Sequence, residues 1–280
     1  MKIIECPRDA MQGIEEFIPT STKIEYINKL LQVGFDTIDF GSFVSPRAIP
    51  QLKDTADVIK HLDLSKTKTK LLAIIGNERG ATDACSFEEV DYLGFPFSIS
   101  EEFLKRNINS TIEQSFDRLK AIQEITVRNN KQLVIYISMA FGNPYGENWH
   151  PELVSEWSEK LSNEGISIIS LADTIGVSTP ESIQTLYKTV SKDNSNIEIG
   201  LHLHSNPKNS SDKIRAAIEA GCTRIDSAIR GFGGCPMAED DLVGNIATEE
   251  VIKEITNNSQ LTIDLQKFEK AINFSHKVFK

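Results

Sequence analysis

Cysteine is scarce in this chain: four among 280 residues, at 6, 85, 222 and 235, with no C-x-x-C pair. A disulfide framework and a cysteine-rich zinc module are both excluded by that count and spacing. Basic residues are outnumbered, 30 against 40 acidic, for a formal charge of −10. Such a surface repels polyanions, so a general binder of nucleic acid or of anionic membranes is excluded, while a local basic pocket for an anionic substrate is not. No apolar run approaches the ~18 residues that span a bilayer. The opening MKIIECPRD is neither an apolar signal core nor an Arg/Ser-rich transit segment. Linkers, low-complexity stretches and long charge runs are lacking as well. The expectation is a reduced, cytoplasmic protein forming one domain over residues 1–280, with neither nucleic acid nor membrane as partner.

What the chain does have is ordinary globular composition, 40% hydrophobic and 25% charged, enough for a sizeable core. Eight short apolar runs rich in β-branched and aromatic residues begin near residues 2, 37, 70, 92, 133, 167, 197 and 224. Their length and composition predict buried strands. Polar stretches with helical spacing separate them, at 22–33, 51–61, 110–129, 152–164, 180–192, 209–220 and 248–256, with a weaker pattern over 79–90. Ser110 stands three residues before Glu113, as in a capping box. Pro180 follows Thr179 at a first helical position, and Gly34, Gly165 and Gly221 sit where helices should stop. Strands alternating with crossovers imply parallel pairing, and eight such units fit a closed (β/α)8 TIM barrel. A further helix over 264–279 would pack on its outside. An open doubly wound sheet is the competing architecture, but the turn after the first strand reads ECPRDAMQG rather than a phosphate-binding G-x-G-x-x-G.

In a barrel the C-terminal strand ends form the active face. Polar residues collect there: Arg8 and Asp9 after strand 1, Asp39 and Ser42 on strand 2, Asp173 and Thr174 after strand 6, and His202 and His204 on strand 7. Two imidazoles two residues apart point to one side of a strand. Inside a barrel they are costly unless they are hydrogen-bonded to each other or ligate a metal; an H-x-H at a strand end favours the metal. Closure sets strands 7, 8 and 1 side by side, so Asp9 and Asn245 can converge on the two histidines. That mixed oxygen/nitrogen set favours Mg²⁺ or Mn²⁺, and it also suits zinc. Arg8 is either a surface cation neutralising Asp9 or a fixed clamp for a substrate oxygen. Cys235 is either a packing residue or a mobile thiol in the glycine-rich segment GFGGCP.

The order P-R-D-x-x-Q, S-F-V-S-P, D-T-I-G, H-x-H, G-x-G-G-C-P and G-N resembles the 3-hydroxy-3-methylglutaryl-CoA lyases, over about residues 2–275. P-R-D and H-x-H alone indicate only the wider group of metal-dependent lyase barrels. SFVSP (42–46), KRNINSTIEQSF (105–116) and GFGGCP (231–236) are more specific. The resemblance implies metal ligands at Asp9, His202, His204 and Asn245. It implies a substrate-polarising arginine at Arg8 and a catalytic loop cysteine at Cys235. Gln12 falls on a substrate-side glutamine, while Asp39 and Glu249 fall in the supporting shell; Asp173 either joins that shell or hydrogen-bonds the loop that starts the next helix. The chain departs from the pattern at Ala10, Met11 and Ser205, and at Asp39, where a glutamate is usual.

The resemblance further implies a retro-Claisen cleavage of 3-hydroxy-3-methylglutaryl-CoA to acetyl-CoA and acetoacetate, in leucine breakdown or another branched acyl-CoA route. An acyl-CoA is then the small-molecule partner, a divalent cation the cofactor, and His202 a candidate for moving the hydroxyl proton. A homodimer is compatible with this reading without being required. Competing readings are a condensing synthase or a 4-hydroxy-2-oxo acid aldolase of the same chemistry, and a barrel that binds metal or acyl-CoA without turnover.

Overall fold

The computed structural model describes residues 1–234, 243–256 and 263–279. Eight strands form a closed barrel: β1 (Lys2–Glu5), β2 (Thr37–Ser42), β3 (Lys70–Ile74), β4 (Tyr92–Ser98), β5 (Gln132–Ser138), β6 (Ile168–Ala172), β7 (Glu198–His202) and β9 (Arg224–Ser227). All neighbours pair in parallel, and β9 closes the ring by pairing with both β7 and β1. The short segments β8 (His204–Ser205) and β10 (Gly244–Asn245) form a separate antiparallel pair above it, with Asn245 opposite His204. This is the expected TIM barrel, not an open sheet.

The crossovers carry α1 (Pro7–Gln12), α2 (Thr20–Leu30), α3 (Thr55–Ile59), α4 (Glu78–Cys85), α5 (Glu101–Ile108), α6 (Ile112–Arg128), α7 (Pro151–Asn163), α8 (Pro180–Asp193), α9 (Ser210–Glu219) and α10 (Thr248–Thr256). A tail helix, α11 (Leu265–Val278), packs on α2, where Tyr26 meets the rings of Phe274 and Phe279. Leu72, Ile74, Val134, Tyr136 and Ile168 form an apolar cluster separate from the larger one beneath the helices. Ile74 and Tyr136 line the cavity at the barrel mouth, which places this smaller cluster inside the barrel. Arg224 also lies across the interior. Gly200 makes room for it: a Cβ there would meet Arg224 Cδ at 2.9 Å.

Local chemistry moved several element boundaries. The capping box of α6 is Thr111 with Gln114, not Ser110 with Glu113. Asn109 closes α5 in a left-handed conformation, φ 48°, and the Ser110 N–H donates back to Leu104 O at 3.4 Å. Ser110 thus serves the helix before it, and α5 itself carried too short a period to be recognised. The segment 51–61 is a 3-10 turn at Pro50–Leu52 followed by α3. The Gln51 backbone carbonyl accepts from Lys23 Nζ instead of a helical N–H, and its side chain accepts from Ile18 N and donates to Ile14 O and Glu16 O. Gly165 and Gly221 do follow the caps of α7 and α9, with φ of 83° and 90°, where a side chain would be strained; Gly34 also has a positive φ, 92°, but α2 already stops at Leu30 with Leu31 as its cap. Among the described residues no helix is long and apolar enough to cross a membrane.

One buried acid braces the mouth from outside. Glu5 shares the outer face of β1 with Ile3. Its carboxyl accepts from Ile229 N at 2.9 Å and from Thr248 Oγ1 at 2.6 Å, tying β1 to the turn after β9 and to α10. Burial pushes it from 4.5 to about 8, and the two hydrogen bonds offset only part of that. An acid with a raised folded pKa stabilises the fold fully below its unfolded value, and that contribution is lost as pH climbs through the folded one. Relative to Glu5→Gln, the wild-type chain should therefore lose up to about 1.4 kcal/mol of stability per pH unit between pH 5 and 8. Parallel denaturant midpoints for the two proteins across that range would refute the assignment.

Candidate active site

The first turn of α1 caps the end of β1. Pro7 occupies the first helical position, where its missing N–H leaves nothing unsatisfied. Arg8 and Asp9 therefore project from a helix start rather than from the strand end that the sequence suggested. Arg8 is buried and pinned on both sides. Its Nε and Nη2 donate to Asp39 Oδ2 at 2.9 and 2.5 Å, and Nη1 donates to Asp9 Oδ1 at 2.8 Å and to Gln12 Oε1 at 2.9 Å. Gln12 Nε2 in turn donates to Asp9 Oδ1 at 2.8 Å. Four of the guanidinium's five N–H groups are thus committed, leaving one on Nη2. Asp39 reaches Arg8 in spite of its short side chain. Arg8 also beds in the wall of a cavity of about 410 Å³ that Asp9, Gln12, His202 and His204 share.

The histidines complete the centre. His202 Nδ1 lies 3.1 Å from Asp226 Oδ2, and His204 Nδ1 lies 3.1 Å from the carbonyl of Thr174. A carbonyl only accepts, so His204 carries its proton on Nδ1; beside a carboxylate, His202 does the same. Both Nε2 atoms then present lone pairs, and they face each other at 3.2 Å. Two lone pairs at that distance repel unless a cation lies between or beside them. Asp9 stands with them: one ligating atom each from Asp9, His202 and His204 lies within 4.8 Å of the others, all buried. Asn245 comes back to this point through its pairing with His204. Its Nδ2 donates to Asp9 Oδ2 at 2.6 Å and to Phe232 O at 2.8 Å, so its remaining polar atom, Oδ1, is an acceptor. The donor set of two imidazoles, a carboxylate and an amide oxygen fits a divalent cation.

The charges are mutually adjusted. Burial works against ionising Asp9, but Arg8, His202 and His204 together bring its carboxyl down to about 2. Burial and the neighbouring His202 push His204 down to about 4, which keeps it neutral and able to ligate. His202 is raised, because Asp226, through its hydrogen bond and its charge, and then Asp9 outweigh burial. With Nδ1 on Asp226 and Nε2 in the ligand set, His202 has no free nitrogen for a separate base role.

The remaining expected residues fall further out. Asp173 is fully buried and accepts from Ser178 Oγ at 2.5 Å, just ahead of α8, and from Lys213 Nζ at 3.0 Å. Lys213 also donates to His204 O at 2.7 Å, so Asp173 reaches the centre through a lysine. Glu249 touches none of the four candidate ligands. It accepts from Arg230 N, holding that residue at a φ of 63° where the glycine-rich segment begins. The start of that segment packs on the site: a Cβ at Gly233 would lie 2.6 Å from Asp9 O, so only glycine lets the backbone come so close. Cys235 lies outside the described residues.

Sequence reasoning missed Asp226 and Lys213. The signal for Asp226 was available: Arg224 and Asp226, two apart on an otherwise apolar strand, share one face. Lys213 sits on a helix among many surface lysines and gave none. Outer partners that fix a histidine tautomer are typically worth about 10–100-fold in metal affinity or activity. Asp226→Asn should show a loss of that size in ion affinity by titration calorimetry with its thermal midpoint nearly kept; unchanged affinity would remove Asp226 from the site.

Comparison with known proteins agrees with this geometry. Residues 2–274 match the HMGL-like family. The chain is 34% identical over 276 residues to the cytoplasmic 3-hydroxy-3-methylglutaryl-CoA lyase of Rattus norvegicus, covering 98% of this chain and 80% of that protein. It superposes on the HMG-CoA lyase of Brucella melitensis with a TM-score of 0.91 at 30% identity, covering 98% and 97% of the two chains. It also superposes on an HMG-CoA lyase from Acinetobacter baumannii in complex with coenzyme A and 3-methylmalate, with a TM-score of 0.90 at 30% identity and coverage of 99% and 91%. Agreement in sequence along nearly the whole chain, and in backbone with these enzymes, makes it a member of the HMGL-like family.

Proposed function

We propose that this chain is a divalent-cation-dependent carbon–carbon lyase that cleaves 3-hydroxy-3-methylglutaryl-CoA to acetyl-CoA and acetoacetate, with residues 1–280 acting as one cytoplasmic catalytic domain. The observation that carries the reading is the convergence of both imidazole Nε2 atoms, 3.2 Å apart, with the Asp9 carboxylate in a buried set at the mouth of a cavity. The coenzyme A complex of the Acinetobacter relative supports an acyl-CoA as substrate. So does the cavity wall, where Phe103, Leu104 and Ile108 of α5 are apolar enough to cover an acyl chain.

Asp9, His202, His204 and Asn245 would hold Mg²⁺ or Mn²⁺. When bound, that ion supplies Lewis acidity toward a substrate hydroxyl and carboxylate. The chain's own residues do the rest. Arg8, with one N–H left over, donates to the thioester oxygen as negative charge develops there on cleavage. Asp39 and Gln12 keep the guanidinium from swinging away. Because neither His202 nitrogen is free, the hydroxyl proton would pass to a bound water or to Asp39 rather than to His202. Cys235 delivers a proton to the departing carbon, so Cys235→Ser should lose orders of magnitude in rate and leave ion binding unchanged. A variant as fast as wild type would return that thiol to packing.

The deciding assay supplies purified chain and Mg²⁺ or Mn²⁺ with 3-hydroxy-3-methylglutaryl-CoA and reads acetyl-CoA and acetoacetate together. Equal release of both supports the lyase. Acetyl-CoA consumption with a 2-oxo acid would mean a condensing synthase, and no turnover of any hydroxyacyl-CoA would mean a binding barrel.

A further inference from the structure

On the other side of the His202 ring lies a second convergence of ligating atoms that the proposed reaction does not use. Cys6, His202 and Asp226 each offer one atom, all within 4.8 Å of one another and all buried. The Cys6 thiol has only a weak partner, the Ile4 carbonyl at 3.6 Å. Asp226 spends Oδ2 on His202 Nδ1, with Ser170 Oγ at 3.4 Å, while its Oδ1 is buried without a hydrogen-bond partner. The Asp39 Oδ1 and Tyr136 hydroxyl oxygens are likewise buried and unpartnered. An orphaned buried carboxylate oxygen costs about 1–3 kcal/mol or more, and a cation relieves it.

We propose that Cys6 Sγ, the Asp226 carboxylate and His202 Nδ1 form a second cation site, suited to a soft ion such as Zn²⁺ or Cd²⁺, whose filling empties the Asp9–His202–His204 site. Thiolate ligands select such ions, whereas Mg²⁺ prefers oxygen. Donors around a tetrahedral zinc stand about 3.6 Å apart, so the three groups need close by only about 1 Å. On binding, the Cys6 thiol gives its proton to water and the ion takes the sulfur.

Exclusion follows from the imidazole. A neutral ring has one lone pair. While Nδ1 donates to Asp226, that pair is on Nε2, facing Asp9 and His204. When Nδ1 ligates the soft ion, the ring proton moves to Nε2 and is donated to His204 Nε2, 3.2 Å away. The second tautomer is thus hydrogen-bonded too, and in it neither histidine Nε2 is free for the harder ion. This half of the inference rests on the ligand set proposed above; occupation of the Cys6 site does not.

The test separates the two. In Cys235→Ser chain, used so that the loop thiol contributes nothing, one Cd²⁺ per chain should give a thiolate-to-cadmium ultraviolet band and a cadmium-113 resonance in the range of a sulfur ligand. Adding Cys6→Ser should abolish both. In otherwise wild-type enzyme, Cys6→Ser should keep the Mg²⁺-supported rate and weaken Zn²⁺ inhibition at least tenfold. A thiolate band that survives loss of Cys6, or a cadmium resonance with nitrogen and oxygen ligands alone, overturns the site. Zinc inhibition that is unchanged in Cys6→Ser overturns the exclusion. Should Cys6→Ser fail to fold, the cadmium-113 resonance of the Cys235→Ser chain decides. None of the cadmium results needs turnover, so absence of lyase activity would sink the proposed function and leave this site standing or falling by itself.

Discussion

His204→Ala is expected to abolish cation-supported cleavage and weaken Mg²⁺ or Mn²⁺ binding beyond the roughly 10–100-fold that an outer partner is worth. Alanine leaves one imidazole, one carboxylate and the Asn245 amide oxygen, and it removes the 3.2 Å approach of the two rings that makes a cation favourable. The fold should stay, because His204 faces the cavity and its ring makes one hydrogen bond to the backbone, to Thr174 O. Asp9→Ala should behave alike, for it removes the negative charge that a bound ion would neutralise and strands Arg8 Nη1 with Gln12 alone. Calorimetric titration with either ion, alongside circular dichroism, separates loss of the ion from loss of the fold. Stripping wild-type chain with a chelator should reproduce the variants, and a chelator should have nothing left to remove from them. Full activity in either variant would dismantle the centre.

Arg8→Lys should lose about 10²–10³ in kcat, the usual consequence of removing one donor to a developing oxyanion. Lysine keeps the charge, but it has no planar fork. It cannot donate twice to Asp39, once to Asp9 and once to Gln12 and still have a donor to spare. Ion affinity should fall much less, because Asp9 keeps Gln12 and Asn245 as donors. The pH–rate profile gives an independent reading. Burial raises Asp39 to about 6, offset in part by Arg8. Below that pH the carboxylate is lost, the guanidinium loosens and the wild-type rate should fall. In Arg8→Lys the offset shrinks, so this limb should move to higher pH. Arg8→Ala is the harsher change: it leaves Asp39 buried and unpaired, and about 3–5 kcal/mol of stability should go with it. A lysine variant with wild-type kcat and an unmoved limb would show that Arg8 only braces the wall.

How much of this was legible in the sequence depends on the range of the interaction. The eight strands were legible because parallel strands covered on both faces read as nearly continuous apolar runs. Helix ends at Gly165 and Gly221 were legible because a positive φ demands glycine, whereas α2 stops at Leu30, short of Gly34. The motif order that resembles the family was legible residue by residue. His202 and His204 could be read as a pair because two positions on one strand share a face. Short elements competing for one turn were not legible: Asn109 and Ser110 end α5 before Thr111 can start α6, a contest decided by a few hydrogen bonds.

Local pattern thus determined the barrel, the candidate ligands and the family they resemble. Tertiary structure alone decided which proton each histidine carries, since Asp226 and the Thr174 carbonyl lie 24 and 30 residues away from their imidazoles along the chain. It alone set Asp39 against Arg8 across 31 residues, joined Lys213 to Asp173 across 40, and left Asp226 Oδ1 without a donor beside Cys6. The reason is physical: a strand or helix records its own periodicity in consecutive residues, whereas the state of a buried charge is set by whatever closure of the ring brings to face it.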